Sequence, residues 1–156
     1  MGKIRVLRLG KRDSREIQAL LKEVWPTAQE YPEEWRKKRT LNHRDIEEEM
    51  DSGYRYFGIR IRGKIVGMYK ANVREDGCLG EHQSIHPDHR GKGLAKLMYK
   101  QFFRFARRNK CKRVYVNILA NQLATRKFVE SLGFKKKGPE YEQVKGMLVQ
   151  MYEKVL

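Results

Sequence analysis

The residues with the clearest chemical potential lie between Ile85 and Ala106, where the chain reads Ile-His-Pro-Asp-His-Arg-Gly-Lys-Gly-Leu-Ala-Lys-Leu-Met-Tyr-Lys-Gln-Phe-Phe-Arg-Phe-Ala. A strand end and Pro87 lead into a basic, glycine-spaced turn, Arg90-Gly91-Lys92-Gly93-Leu94-Ala95, and then into a long amphipathic helix. This order suits an anion. The first N–H groups of a helix have no internal partners and carry about half a positive charge, so a phosphate placed there is both hydrogen-bonded and attracted. Gly91 and Gly93 let the backbone approach it. Leu94, Leu97, Met98, Phe102 and Phe105 recur at helical spacing and predict one buried face, leaving Lys96, Lys100, Arg104, Arg107 and Arg108 outside. Two familiar glycine loops are excluded. A P-loop needs Ser or Thr after Gly-Lys, and Gly93 stands there; a dinucleotide fingerprint needs a third glycine where Lys96 stands.

The elements that must position this turn follow from periodicity. Ile4 to Leu9 alternates and predicts a first strand. Asp13 with Glu16 has the spacing of a capping box, and the stripe Ile17, Leu20, Leu21, Val24 and Trp25 predicts a helix ended by Pro26. A short helix is expected at Glu33 to Lys38. Another begins at Asn42 as N-cap, with Leu41 and Ile46 as a staple, and stops at Gly53. Its Asp45, Glu47, Glu48, Glu49 and Asp51 form the one dense acidic patch, a cation funnel or, as the preferred reading, a solvated face. Three hairpin-linked strands follow, Tyr54 to Ile61, Lys64 to Val73 and Cys78 to Ile85. After the cradle helix come a strand from Arg113 to Ile118, a helix from an Asn121 cap through Leu132, and strands from Phe134 to Val144 and Met147 to Val155. The last strand should place Met147, Val149, Met151 and Val155 on one face. A strand, helix, strand crossover makes the Cys78 and Arg113 strands parallel.

The 156 residues suit one domain spanning 1–156. With 35 Lys and Arg against 19 Asp and Glu, the net charge of +16 favours acidic partners. Nucleic acid or a ribosomal surface would answer it, as would the basic exterior of a heat-adapted protein. No aromatic residues interleave with the basic ones in a stacking pattern, so the exterior reading is preferred. Cys78 and Cys111 have no metal or redox spacing, and free thiols in a reducing compartment are expected. No apolar run reaches membrane-span length, the N-terminus lacks a signal-peptide core, and Val6 excludes myristoylation at Met1-Gly2, so a cytoplasmic protein off the membrane is expected.

The turn from Arg90 to Ala95 resembles the acetyl-CoA signature of the GCN5-related N-acetyltransferases, Arg/Gln-x-x-Gly-x-Gly/Ala. The element order is similar to that family's over nearly the whole chain, and Asn121 to Phe134 resembles its Asn-x-x-Ala helix ending in Leu-Gly-Phe. The resemblance implies a single-domain α/β (α+β) fold: a mixed, mostly antiparallel sheet flanked by helices, with one parallel crossover at the CoA site. It implies acetyl-CoA as co-substrate, held by Arg90, Gly91, Lys92, Gly93, Leu94, Ala95 and Asn121 and by backbone near Gln83, Ser84 and Ile85. It implies transfer of the acetyl group to a primary amine by direct attack, with Glu81, where several members carry a catalytic Glu or His, as candidate general base. The chain departs from the pattern twice. One extra residue separates Asn121 from the Leu-Gly-Phe ending, and the frequent proton-donating tyrosine, five residues before Phe134, is Val129.

The amine must be neutral to attack. A lysine with a pKa near ~10.4 is handicapped by roughly 4.6 kcal/mol at pH 7, and a chain-terminal amine by roughly 1 kcal/mol. Protein N-terminus, lysine and small amine all remain open as acceptors, as does oligomeric state. Tyr115, Tyr141 and Tyr152 are spare phenols that the sequence does not place as the acid. His82 falls on the opposite side from Glu81 in a regular strand, and only a bulge would change that. His82, His86 and His89 lack zinc spacing, so no metal is expected. The opposing reading is a non-catalytic CoA- or RNA-binding protein that keeps the fold.

Overall fold

The computed structural model describes residues 3–156, so Met1-Gly2 lies outside the described residues. A seven-stranded sheet in the order β1-β2-β3-β4-β5-β7-β6 carries the molecule. Its strands are β1 (Val6–Leu9), β2 (Arg55–Ile61), β3 (Lys64–Arg74), β4 (Gly77–Ile85), β5 (Arg113–Leu119), β6 (Lys135–Val144) and β7 (Met147–Val155). Only β4 and β5 pair in parallel among the described residues, with α4 (Leu94–Arg108) as the crossover; the mixed α/β fold is as expected. The other helices are α1 (Ser14–Val24), α2 (Glu33–Arg39), α3 (His43–Asp51) and α5 (Leu123–Ser131).

Two cores lie on the two faces of the sheet. Ile17, Leu20, Leu21 and Val24 of α1 pack with Ile46, Tyr56 and Met68, while Met98, Phe102 and Ala106 of α4 pack with Phe57, Ile59, Tyr69 and Val114. The middle strands are thus covered on both sides, and alternation in β3 is broken for a second reason. Ile59 pairs with Gly67 but Arg60 pairs with Ile65, which makes Val66 an extra residue and turns it to the α4 side. On α4, Leu97 and Phe105 are only half-buried, and Tyr99 and Phe103 take their place in the interior. At the end of β7, Val155 is 71% exposed and Tyr152 fills the core instead.

The predicted caps fare differently. Asn42 accepts from the Asp45 N–H at 2.9 Å, and Asp45 accepts from the Asn42 N–H at 3.3 Å, a reciprocal capping box on α3. Asp13 and Glu16 do not form one. Asp13 accepts from the Gly10 N–H at 2.8 Å across a 3₁₀ turn, and Glu16 is drawn instead to Arg60 (2.8 Å) and the Ile65 N–H (2.9 Å). The acidic patch on α3 is neither funnel nor plain solvated face. Glu49 pairs with the buried Lys70 at 2.8 Å and accepts from the Tyr56 hydroxyl at 2.5 Å, while Glu47 accepts from Ser14 at 2.9 Å. Cys78 and Cys111 are free thiols that meet in space, and burial raises Cys78 to about 12. No helix of the described residues is long and apolar enough to cross a membrane.

Candidate active site

The basic turn is positioned by its flanks. His86 receives the Asp88 N–H on Nδ1 at 3.1 Å and meets Glu23 through Nε2 at 2.7 Å, which ties the exit of β4 to α1. Arg90 folds back, its Nε donating to the Ile85 carbonyl at 3.3 Å. Gly91 and Gly93 have φ of 75° and 77°, the left-handed region, and a Cβ on either would have no atom within 4 Å. Gly93 is the N-cap of α4, and no side chain covers it. The N–H groups from Gly91 to Lys96 find no partner among the described residues. Lys92 is exposed, Ala95 half-buried, and Leu94 is the buried anchor of the first turn. A concave, uncapped, basic helix start of this kind suits an anion.

Beyond the turn the parallel strands separate. β4 and β5 pair from Cys78–Val114 to Gly80–Val116 and no further. A cavity of about 230 Å³ opens past that point, walled by Glu81, His82 and Gln83 from β4 and by Asn117 and Ile118 from β5. The β4 wall is bulged. His82 adopts φ 56°, and between the pairs Lys70–Glu81 and Met68–Ser84 the two residues His82 and Gln83 stand opposite Tyr69 alone. Glu81 and His82 therefore both line the cavity, which a regular strand would not allow. Ser84 holds the bulge from behind: buried, it donates to the His82 carbonyl at 2.8 Å and accepts from Trp25 Nε1 at 2.8 Å.

Glu81 accepts from the Tyr54 hydroxyl at 3.0 Å. His82 is held neutral, since burial and then the charges of Arg39 and Lys70 push it well below the usual histidine value. Its buried Nδ1 has no hydrogen-bond partner, nor has the buried Nε1 of Trp35 in the same wall. Arg39, also in the wall, lies over Trp35 (4.2 Å) and Trp25 (5.2 Å); burial lowers it to about 10, and it remains charged at neutral pH.

One sequence reading changes here. Asn121 is exposed and does not cap α5; Gln122 is the N-cap, and it is Gln122 that reaches the cavity wall. The one-residue excess before Leu-Gly-Phe is the reason: a turn closed from the Gln122 N–H to the Leu119 carbonyl at 3.0 Å delays the helix. Val129 is fully buried, and the spare phenols are occupied elsewhere, Tyr115 on Asp76, Tyr141 on Asn117 and Tyr152 between Arg126 and Glu130. Tyr99 was not singled out. It projects from α4 into the cavity wall, its ring 5.7 Å from Phe128, and burial raises its pKa above the usual phenol value. Its place in the stripe Met98-Tyr99-Phe102 is the only sequence signal, and that signal says core. His86 is bound to Glu23, and no group of three metal-binding side chains occurs among the described residues.

Residues 16–134 match the acetyltransferase (GNAT) family. The chain belongs to that family. It is 33% identical over 98 residues to the N-acetylaspartate synthetase of Xenopus tropicalis, covering 61% of this chain and 36% of that protein. It is 33% identical over 95 residues to human N-acetyltransferase 8B, covering 57% and 42%. The aligned region thus spans less than half of either relative. Among solved structures, an N-acetyltransferase from Staphylococcus aureus superposes with a TM-score of 0.80 at 17% identity over 99% of this chain and 98% of that one. The yncA protein of Salmonella typhimurium, solved with its cofactor acetyl-CoA, superposes at 0.78 with 19% identity over 99% and 95%. The ribosomal-protein-S18-alanine N-acetyltransferase of Escherichia coli superposes at 0.78 with 14% identity over 98% and 94%.

Proposed function

We propose that the protein transfers an acetyl group from acetyl-CoA to a primary amine by direct attack. The observation that carries this reading is placement along α4: its unpartnered N–H groups stand about one turn before Met98, Tyr99 and Phe102, which line a cavity, opened by separated parallel strands, whose wall holds Glu81 and His82. The residues fit the co-substrate. The open Cβ positions of Gly91 and Gly93 make room for a pyrophosphate on the backbone, with Lys92 beside it, and the β4 edge past Gly80 is free to accept an extended amide-bearing arm. Arg90 contributes by fixing the turn to Ile85, and Leu94 and Ala95 by anchoring the first helical turn. Ser84 acts through the bulge it holds, and Gln122 replaces Asn121 at the cavity.

When bound, acetyl-CoA supplies an acetyl group activated as a thioester. Glu81 takes a proton from the amine, the new bond being N–C and the broken one C–S. The neutral His82, with its unpartnered Nδ1, is a second polar group on the same wall, a hydrogen-bond partner and not a base. Tyr99, protonated throughout the working pH range because burial raises it, returns a proton to the departing sulfur from its hydroxyl. Glu81 then loses its proton to water and Tyr99 regains one from water, which restores both groups. Names among the relatives span a small amine and a protein N-terminus, and both belong to the acceptor class proposed.

A thiol-release assay with acetyl-CoA across amino acids, peptides, lysine side chains and polyamines tests the reaction, and thermal shift tests the complex. At a hundredfold excess over its Kd, acetyl-CoA should add about 2.7 kcal/mol of stability. No shift at millimolar acetyl-CoA would remove the proposal.

A further inference from the structure

Arg39 is the side chain in this cavity that the acetyl-transfer reading leaves without a task. A guanidinium brings five N–H donors, and at a buried site these pair with a carboxylate, a carbonyl or water. Arg39 makes no hydrogen bond to any described residue and no ion pair within 4.0 Å. Other arginines differ: Arg36, one turn earlier on α2, donates to the Tyr31 and Pro26 carbonyls at 3.1 and 2.8 Å, and Arg60 grips Asp13 and Glu16.

Arg39 is nevertheless held in place. Its guanidinium carbon lies over the rings of Trp35 and Trp25, and Tyr31 lies 5.2 Å from Trp25 and 6.4 Å from Trp35, closing an aromatic frame around it. Cation–π contact of this kind holds the guanidinium without using its N–H donors. The nearest acid in the wall does not quench it. Glu81 is close enough for its charge to bear on Arg39, yet it is engaged by Tyr54 and forms no ion pair with Arg39. One cavity therefore holds a fixed, unpaired cation and a separate carboxylate, with the unpartnered nitrogens of Trp35 and His82 in the same wall.

We infer that the acceptor is a free α-amino acid, its carboxylate bound by Arg39 and its amine presented to Glu81. This rests on the acetyltransferase reading and narrows it. A planar, two-pronged donor is matched by a carboxylate, and a zwitterion answers the cation and anion of the wall together. A lysine side chain within a protein, a polyamine or an internal peptide amine has no carboxylate beside its nitrogen, and would leave the donors of the half-buried Arg39 to water.

The test compares each L-amino acid with its own C-terminal amide, in the thiol-release assay, on the parent protein and on Arg39→Gln and Arg39→Lys. The amides differ only in the group that Arg39 is assigned. For the preferred amino acid the acid should exceed the amide in kcat/KM on the order of 10²-fold or more. Arg39→Gln should erase that preference by lowering activity on the acid and not on the amide, and Arg39→Lys should restore part of it. A binding readout accompanies these: the N-acetylated amino acid product should raise the melting temperature of the parent and not of Arg39→Gln, while the acetyl-CoA shift stays equal in both. Amides or peptide amides turned over as well as free acids would overturn the inference, as would an acetyl-CoA shift lost with Arg39→Gln, which would give Arg39 to the co-substrate. Absence of any acetyl-CoA shift in the parent would instead defeat the acetyltransferase reading on which it rests. Should Arg39→Gln not fold, the comparison of acid with amide on the parent decides alone.

Discussion

Replacing Gly93 by aspartate separates the fold from the phosphate cradle. In the free protein the new Cβ meets nothing within 4 Å, so the cost is that of a non-glycine residue at φ 77°, about 1–2 kcal/mol. For a chain of this length each kcal/mol moves the melting temperature by roughly 2–4 °C, so the variant should melt a few degrees lower and remain folded. The ligand effect is larger. With acetyl-CoA at a hundredfold excess over its Kd the parent gains about 2.7 kcal/mol, or roughly 5–11 °C. A carboxylate ~4 Å from one phosphate charge costs about 4 kcal/mol at an effective dielectric constant near ~20, roughly a 10³-fold loss of affinity. At the same concentration the variant is then less than a tenth saturated and gains under ~0.1 kcal/mol. Differential scanning fluorimetry with and without acetyl-CoA reads both effects in one experiment. A variant that shifts with acetyl-CoA as the parent does would refute the assignment of the cradle.

Glu81→Gln keeps the size and the Tyr54 contact while removing the base: turnover should fall roughly 10²- to 10⁴-fold at pH 7 with an unchanged acetyl-CoA shift, and the deficit should narrow as pH rises. Parental turnover in that variant would return Glu81 to a structural role. Tyr99→Phe leaves the ring against Phe128 and Phe134 and removes only the hydroxyl; kcat should drop roughly 10²-fold, and an unchanged kcat would exclude the phenol as donor. His82 has a folded-state pKa below its unfolded one, so the unfolded chain binds the extra proton and stability is lost as pH falls from about 6.5 towards the folded value, at ~1.4 kcal/mol per pH unit. Urea unfolding at pH 7.5 and 5.5 should show that loss in the parent and a smaller one in His82→Asn; equal losses would mean that His82 is not held neutral.

Much of this molecule is written in runs of a few residues. Gly91 and Gly93 need left-handed backbone whatever surrounds them, the stripe from Ile17 to Val24 has the period of one helix face, and Asn42 with Asp45 closes a cap inside four positions. These features depend on dihedral preference and local hydrogen bonds, so the glycine turn, the helices and the hairpins are legible without the fold. The capping box expected at Asp13 shows where local reading stops, because Arg60, 44 positions beyond Glu16, offers a better partner. The active wall is decided the same way. A histidine at φ 56° costs about 1–2 kcal/mol, and the Trp25–Ser84 hydrogen bond, 59 positions apart, holds the bulge that keeps it there. Tyr99 reads as core until α5 arrives with Phe128 and leaves its hydroxyl at the cavity. Arg39 is one basic residue among 35 in the sequence. Only the tertiary meeting of Trp25 with Trp35, which brings both rings to its guanidinium, makes it different from the rest.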